Sequence, residues 1–157
     1  MSFELAAGAD AVVVWREIAE LDRRAWKSSK DARYVPDGEH SWRVWAEYSF
    51  VSAAISADGT VAGALCAFDT QNPRVHFFHK LFIDDDFRRM GAGALILSSY
   101  CDYLDHVGKR SVMTTSPENK AMIELSNGFG FETTALVEGY YGPAEDRMLR
   151  QRLPLIL

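Results

Sequence analysis

Between Leu81 and Leu97 the chain sets two arginines, two glycines and two alanines close together: Arg88-Arg89-Met90-Gly91-Ala92-Gly93-Ala94. An apolar strand ends near Ile83, and the polar connection Asp84-Asp85-Asp86-Phe87 leads into this segment. Small residues let a backbone approach a ligand closely. The unpaired N–H groups of a first helical turn, together with the helix dipole, favour an anion. Arg88 and Arg89 add positive charge, so these residue types fit a diphosphate cradle. On this segment alone, a second reading stands equally: Gly91 and Gly93 simply end a loop. A dinucleotide fold would place its glycines directly at the strand end and a third one where Ile96 stands, and neither holds. A P-loop needs Gly-Lys-Ser/Thr, which is absent.

Other residues that could do chemistry are scattered. A histidine is the side-chain type suited to proton transfer near neutral pH, and His79 shares a strand face with Leu81 and Ile83 by the two-residue period. The alternative is a partly buried histidine bonded to backbone. His76 falls on the other face, and His40 and His106 read as surface or loop residues. The four histidines have no metal spacing, so no metal is expected. Asp84-Asp85-Asp86 lacks a calcium-loop pattern and reads as a solvated turn. Cys66 and Cys101 form no C-x-x-C pair and read as small core residues.

The elements that must position these residues follow from periodicity. Ser2 to Ala6 reads as a short strand. Asp10 to Trp26 reads as one amphipathic helix, with Val14, Ile18, Leu21 and Ala25 at helical spacing. Lys27 to Gly38 reads as a loop and His40 to Tyr48 as a second helix. Phe50 to Ser56 and Val61 to Phe68 are strands joined by an Asp58-Gly59 hairpin signal. Arg74 to Ile83 is a strand, Gly91 to His106 a helix, Arg110 to Thr115 a strand, and Glu118 to Asn127 a helix introduced by Ser116-Pro117. Phe131 to Val137 and Arg147 to Leu153 complete the set. This order predicts an α+β fold, with a mixed, mostly antiparallel central sheet flanked by helices and a central β-α-β crossover.

The chain has 157 residues, 48% hydrophobic and 25% charged, which is enough for one domain with its own core over 1–157. The net charge of -5 argues against nucleic acid as the main partner. No stretch reaches membrane-spanning length and no signal-peptide pattern opens the chain, so no membrane partner and a cytoplasmic location are expected.

Two blocks resemble one family. Arg88-Arg89-Met90-Gly91-Ala92-Gly93 resembles the R/Q-x-x-G-x-G/A motif of the GCN5-related N-acetyltransferases, preceded by their apolar fourth strand, here Lys80-Leu81-Phe82-Ile83. Asn119, Leu125, Gly130 and Phe131 match that family's N-x-x-A-x-x-L-Y-x-x-x-G-F pattern at the right spacing, with Met122 where alanine is usual. The resemblance runs from about Phe50 to the end. It implies acetyl-CoA as cosubstrate, bound by a core over about 74–131, and an acceptor side over about 10–48. It further implies that the backbone of Leu81, Phe82 and Ile83 contacts the acetyl and pantetheine arm. The N–H groups from Arg89 through Ala94 would hold the pyrophosphate, and Asn119 would bond the pantetheine or phosphate end.

The resemblance also implies direct attack of an amine on the thioester in a ternary complex, with a backbone N–H near Phe82 as oxyanion donor. The position of His79 resembles that of a histidine on the fourth strand of arylalkylamine N-acetyltransferases, which makes it the candidate base. The family's tyrosine acid is replaced by Ser126, which reads as a helix-surface or packing residue. Tyr140 or Tyr141 are the candidate substitutes. With Glu145, Asp146 and Met148, that pair resembles the acceptor groove of enzymes acetylating protein N-terminal α-amines. A tyrosine pair before a hairpin can also be simple packing. Trp26, Tyr34, Trp42 and Trp45 stand where the family builds an acceptor wall, or belong to the core. A small-molecule amine, or a CoA-binding module with weakened catalysis, remains an alternative, and the chain can be a monomer or a homodimer.

Overall fold

The computed structural model describes residues 1–28 and 35–156, apart from the side chains of Trp26 and Ser28. In chain order the elements are β1 (Phe3–Ala7), α1 (Ala9–Val13), α2 (Trp15–Ser28), α3 (Glu39–Tyr48), β2 (Phe50–Ser56), β3 (Val61–Asp69) and β4 (Val75–Ile83). A short 3-10 turn (Asp85–Phe87) follows, then α4 (Ala92–Val107), β5 (Arg110–Thr115), α5 (Lys120–Asn127), β6 (Glu132–Val137) and β7 (Arg147–Arg152). The fold is α+β: a seven-stranded, mostly antiparallel sheet flanked by helices, in which β4-α4-β5 is the crossover that makes the parallel pair. Among the described residues no helix is long and apolar enough to cross a membrane.

Two departures from the sequence reading have local causes. The helix expected from Asp10 to Trp26 breaks at Val14, whose φ of -103° and ψ of 18° close α1. Val12, Val13 and Val14 are β-branched, and three in a row lose side-chain freedom in a helix. The buried face of α4 is Ala92, Ile96, Leu97, Tyr100, Cys101 and Leu104, while Ala94 is exposed and Leu95 half-buried. The helix therefore turns a slightly different stripe inward than its apolar residues alone suggest.

The chain forms two compact units, Met1–Ala67 with Lys80–Tyr100, and Phe68–His79 with Cys101–Leu157. In the first, β1 pairs antiparallel with β2, and β2 with β3. Val61 to Ala67 are buried throughout, and five of those seven residues are alanine, glycine or cysteine, so both faces of β3 can be covered tightly. The Asp58-Gly59 hairpin forms as expected: Gly59 adopts φ 85° and the Asp58 carboxylate accepts from the Thr60 N–H at 3.1 Å. In the second unit, β5, β7 and β6 are antiparallel neighbours in that order. The parallel ladder of β4 with β5 holds Val75↔Arg110, His76↔Ser111 and Phe77↔Val112, and it ends two residues before His79.

Candidate active site

In the first unit β4 delivers Leu81-Phe82-Ile83 to the glycine segment. Phe82 is buried, with the Trp42 ring edge-on at 5.6 Å. Gly63 of β3 lies so close that a Cβ there would meet Ile83 Cδ1 at 2.4 Å and the Phe82 carbonyl oxygen at 2.8 Å. Only glycine permits that approach. The Asp84 N–H donates to the Ala62 carbonyl at 2.9 Å, which carries the strand pairing one residue past β4. Asp84 then caps the 3-10 turn through the Asp86 N–H at 3.1 Å and takes the Arg24 guanidinium at 2.9 Å. It is thus partly buried and paired, which corrects the reading of the aspartate triple as a solvated turn. Asp85 and Asp86 are exposed, as that reading had them.

Beyond this turn the backbone enters a conformation that side chains rarely adopt. Arg89 has φ 61° and Gly91 φ 94°. A non-glycine residue at positive φ costs about 1 kcal/mol or more, and such strain concentrates at binding loops. The strain aims the chain directly into α4. The first main-chain bond there runs from the Leu95 N–H to the Gly91 carbonyl at 3.0 Å, so the N–H groups of Ala92, Gly93 and Ala94 lie in the turn ahead of it. Among the described residues nothing stands within 4 Å of where a Gly91 Cβ would project. Arg88 is exposed and bonded to Asp85 at 2.8 Å. Main-chain N–H groups at the start of a helix favour an anion. A depression of about 230 Å³ nearby is lined by Leu21, Arg24, Ala25 and Asp84–86. Its carboxylates would repel phosphate, and it is smaller than ordinary ligand sites.

Behind β4 lies a cluster that periodicity did not reveal. Asp22 is fully buried on α2 and accepts from Trp42 Nε1 at 3.0 Å, from the Asp37 N–H at 2.8 Å and from Lys80 Nζ at 3.1 Å. Lys80 also meets the Asp37 carboxylate at 2.8 Å. The only sequence signal was an aspartate one residue past Leu21 on an apolar helix face. Trp42 therefore belongs to the core, not to an open wall. Trp45, half-buried, rests edge-on against it at 5.3 Å. Tyr34 and the side chain of Trp26 lie outside the described residues.

In the second unit His79 is exposed, with the Phe68 ring at 5.3 Å and the Phe77 ring at 6.3 Å. It is not the partly buried histidine of the alternative reading. His76, one face over, is buried with Nε2 4.0 Å from Asp69 and the Tyr103 ring at 5.5 Å. Burial pushes its pKa down to about 4, with Lys109 adding to the effect and Asp69 opposing it. Asn119 is exposed and caps α5, its Oδ1 accepting from the Met122 N–H at 3.2 Å, which leaves its amide group as donor.

Ser126 is fully buried, not on the helix surface. Its hydroxyl donates to the Met122 carbonyl at 2.7 Å and receives Arg150 Nη1 at 2.6 Å. Tyr140 and Tyr141 are exposed and edge-on to each other at 4.8 Å. The Tyr141 hydroxyl is 3.0 Å from Thr114 Oγ1, and the Arg147 guanidinium lies 5.0 Å from its ring centre. Asp146 shapes that loop by accepting from the Gly139 N–H at 2.8 Å.

The fold is thus an α+β one in which the β4-α4-β5 crossover carries a glycine turn at the start of α4. Residues 15–131 match the acetyltransferase (GNAT) family, and the chain belongs to that family. It is 35% identical over 63 residues to an uncharacterized N-acetyltransferase of Methanocaldococcus jannaschii, a match covering 40% of this chain and 28% of that protein. The fold is shared with the ribosomal-protein-S18-alanine N-acetyltransferase of Escherichia coli, at TM-score 0.79 and 16% identity over 99% of this chain and 96% of that one. It is shared with a phosphinothricin acetyltransferase of Sinorhizobium meliloti in complex with acetyl-CoA, at TM-score 0.80 and 19% identity over 98% and 90% of the two chains. A Salmonella typhimurium protein with its cofactor acetyl-CoA reaches TM-score 0.81 at 18% identity, over 100% and 96%.

Proposed function

We propose that the chain is an N-acetyltransferase acting as one domain in the cytoplasm, moving an acetyl group from acetyl-CoA to a primary amine by direct attack in a ternary complex. The observation that carries this reading is the Arg89–Gly91 turn, with its two positive φ angles, set ahead of the N–H groups of Ala92, Gly93 and Ala94. Those donors, with Arg88 and Arg89, hold the donor's diphosphate. The backbone of Leu81 to Ile83 aligns the pantetheine arm, and the Asn119 amide bonds its far end. When bound, acetyl-CoA supplies an activated thioester. The chain's own part is to orient it, to donate an N–H near Phe82 to the carbonyl oxygen, and to accept a proton at His79.

An N-terminal α-amine of a peptide is the acceptor class that suits His79 acting alone as base. Neutralising an α-amine near pH 7.4 costs under about 1 kcal/mol, against roughly 4 kcal/mol for a lysine-like amine. The exposed Tyr140–Tyr141 pair supplies the peptide-facing surface, with Tyr141 as candidate acid. One observation favours a second reading, a CoA-binding partner module. Ser126 is bonded inward to Arg150, so the family's acid position cannot serve the leaving thiolate.

Calorimetry with acetyl-CoA is expected to show saturable binding that Gly91→Val abolishes; absence of binding by the wild-type chain would sink both readings. Thiol release with a panel of N-terminal peptides and alkylamines, followed by product mass, separates enzyme from module. His79→Ala should slow turnover and alter the pH–rate profile, and an unchanged profile would strike His79 as the base.

A further inference from the structure

Arg150 stands in the middle of β7 and is 2% exposed. Its Nη1 donates to the Ile123 carbonyl at 3.1 Å and the Ser126 hydroxyl at 2.6 Å. Its Nη2 donates to the Phe131 carbonyl at 2.7 Å and to the Asn127 side-chain oxygen. Ile123 lies midway along α5, Ser126 and Asn127 in its last turn and Phe131 in its connection to β6, and all four acceptors are neutral. Nε, equally buried, has no hydrogen-bond partner among the described residues. Arg152, on the same face two residues on, bonds the Phe129 carbonyl at 2.8 Å, and its charge is answered by Asp105 through bonds of 2.8 and 2.9 Å.

The two arginines therefore differ. Arg152 is an ion pair that also holds a turn. Arg150 is a buried cation answered only by dipoles in these contacts, and desolvation pushes its pKa down. A methionine would fill the same volume without that desolvation cost. What the guanidinium adds is geometry, because its planar fork fixes four acceptors in one arrangement. Its charge also faces the negative end of the α5 dipole. Helix α5 has eight residues and starts at its cap, Asn119. So short a helix transmits the orientation of its last turn to its first.

We propose that Arg150 is a positioning residue for the donor site, fixing α5 so that Asn119 stands where it can bond acetyl-CoA. The inference rests on the donor-binding role proposed for Asn119.

The test is a double-mutant cycle in acetyl-CoA affinity, measured by calorimetry on protein shown to be folded by circular dichroism. Arg150→Met and Asn119→Ala should each weaken binding by about tenfold, and the double variant should be hardly weaker than either alone, the non-additivity expected of residues acting as one unit. Arg150→Lys should recover part of the loss, which a merely space-filling role would not require. If Arg150→Met does not fold, Ser126→Ala removes one prong and should weaken binding by about threefold, again only when Asn119 is present. Folded Arg150 or Ser126 variants that bind within about twofold of wild type would overturn the proposal, as would full additivity with Asn119→Ala. A wild-type chain that does not bind acetyl-CoA overturns instead the donor reading beneath it.

Discussion

His76 is a titratable side chain held in its neutral form by burial, and it makes stability depend on pH. Its neighbours are Asp69, Tyr103 and Lys109: the first is an anion 4.0 Å away, the second an aromatic ring, the third a cation bonded to that same Asp69. The folded-state pKa is about 4 against 6.5 for the free side chain. In the unfolded chain His76 takes up a proton below pH 6.5 that the folded chain refuses until about pH 4. The unfolded state thus binds more protons in that window, and stability falls as pH drops through it, by at most about 3 kcal/mol. Asp69 acts in the same direction but only at lower pH: Lys109 holds its pKa below 3.8, so its contribution too is lost as pH falls further. Urea midpoints should fall between pH 7 and pH 5 in the wild type and fall less in His76→Gln. Parallel pH curves for the two proteins would show that His76 is not the group responsible.

At the scale of elements, β3 and the end of β4 approach so closely that Gly63 has no room for a methyl group. Gly63→Ala would press on the Phe82 carbonyl oxygen, a backbone atom, and on Ile83 and Ile96. Overpacking of this kind costs about 1–3 kcal/mol, or roughly 3–10 °C in Tm for a chain of this size. It should also weaken acetyl-CoA binding, because Phe82 and Ile83 form the strand end that aligns the donor. Gly108→Ala is the matching control: its φ of 67° is strained but its surroundings are open, so stability should fall while affinity holds. Equal affinity loss in both variants would mean that stability, not strand placement, governs binding.

Elements of this kind were legible in the sequence because they follow from period and punctuation. The strand alternation around His79, the Asp58-Gly59 turn and the glycine segment all stand where local chemistry puts them. What was not legible depends on partners distant in sequence. The sequence reading does not single out Asp22, whose partners Lys80 and Trp42 lie 58 and 20 residues away. The sequence does not say that Arg150 and Arg152 are buried, because that follows from β7 lying between β5 and β6. Ser126 could not be placed without Arg150. The break at Val14 was readable in retrospect from three consecutive valines, a propensity signal that the apolar period had overridden.

For the molecule as a whole, the two cysteines report separately on the two compact units. Cys66 belongs to the first and Cys101 to the second. They are 0% and 4% exposed, and burial raises both thiol pKa values, to about 11 for Cys101 and higher still for Cys66. Because the thiolate is the reactive species, neither should react with a disulfide reagent in the native protein near neutral pH. The thiol-release assay for transferase activity therefore has almost no protein background. In urea both thiols must appear, and their order is informative. Strands β3 and β4 and helix α4 each begin in one unit and end in the other, so neither unit can lose its share of these elements without disturbing the remainder of the same segment. Chains of about this size usually unfold in a single cooperative step. Pulse labelling across a urea series, read by peptide mass, should give one midpoint for Cys66 and Cys101. A Cys101 midpoint well below that of Cys66 would show that the unit carrying Asn119, Arg150 and the tyrosine pair opens independently of the unit carrying the Arg88–Gly93 turn.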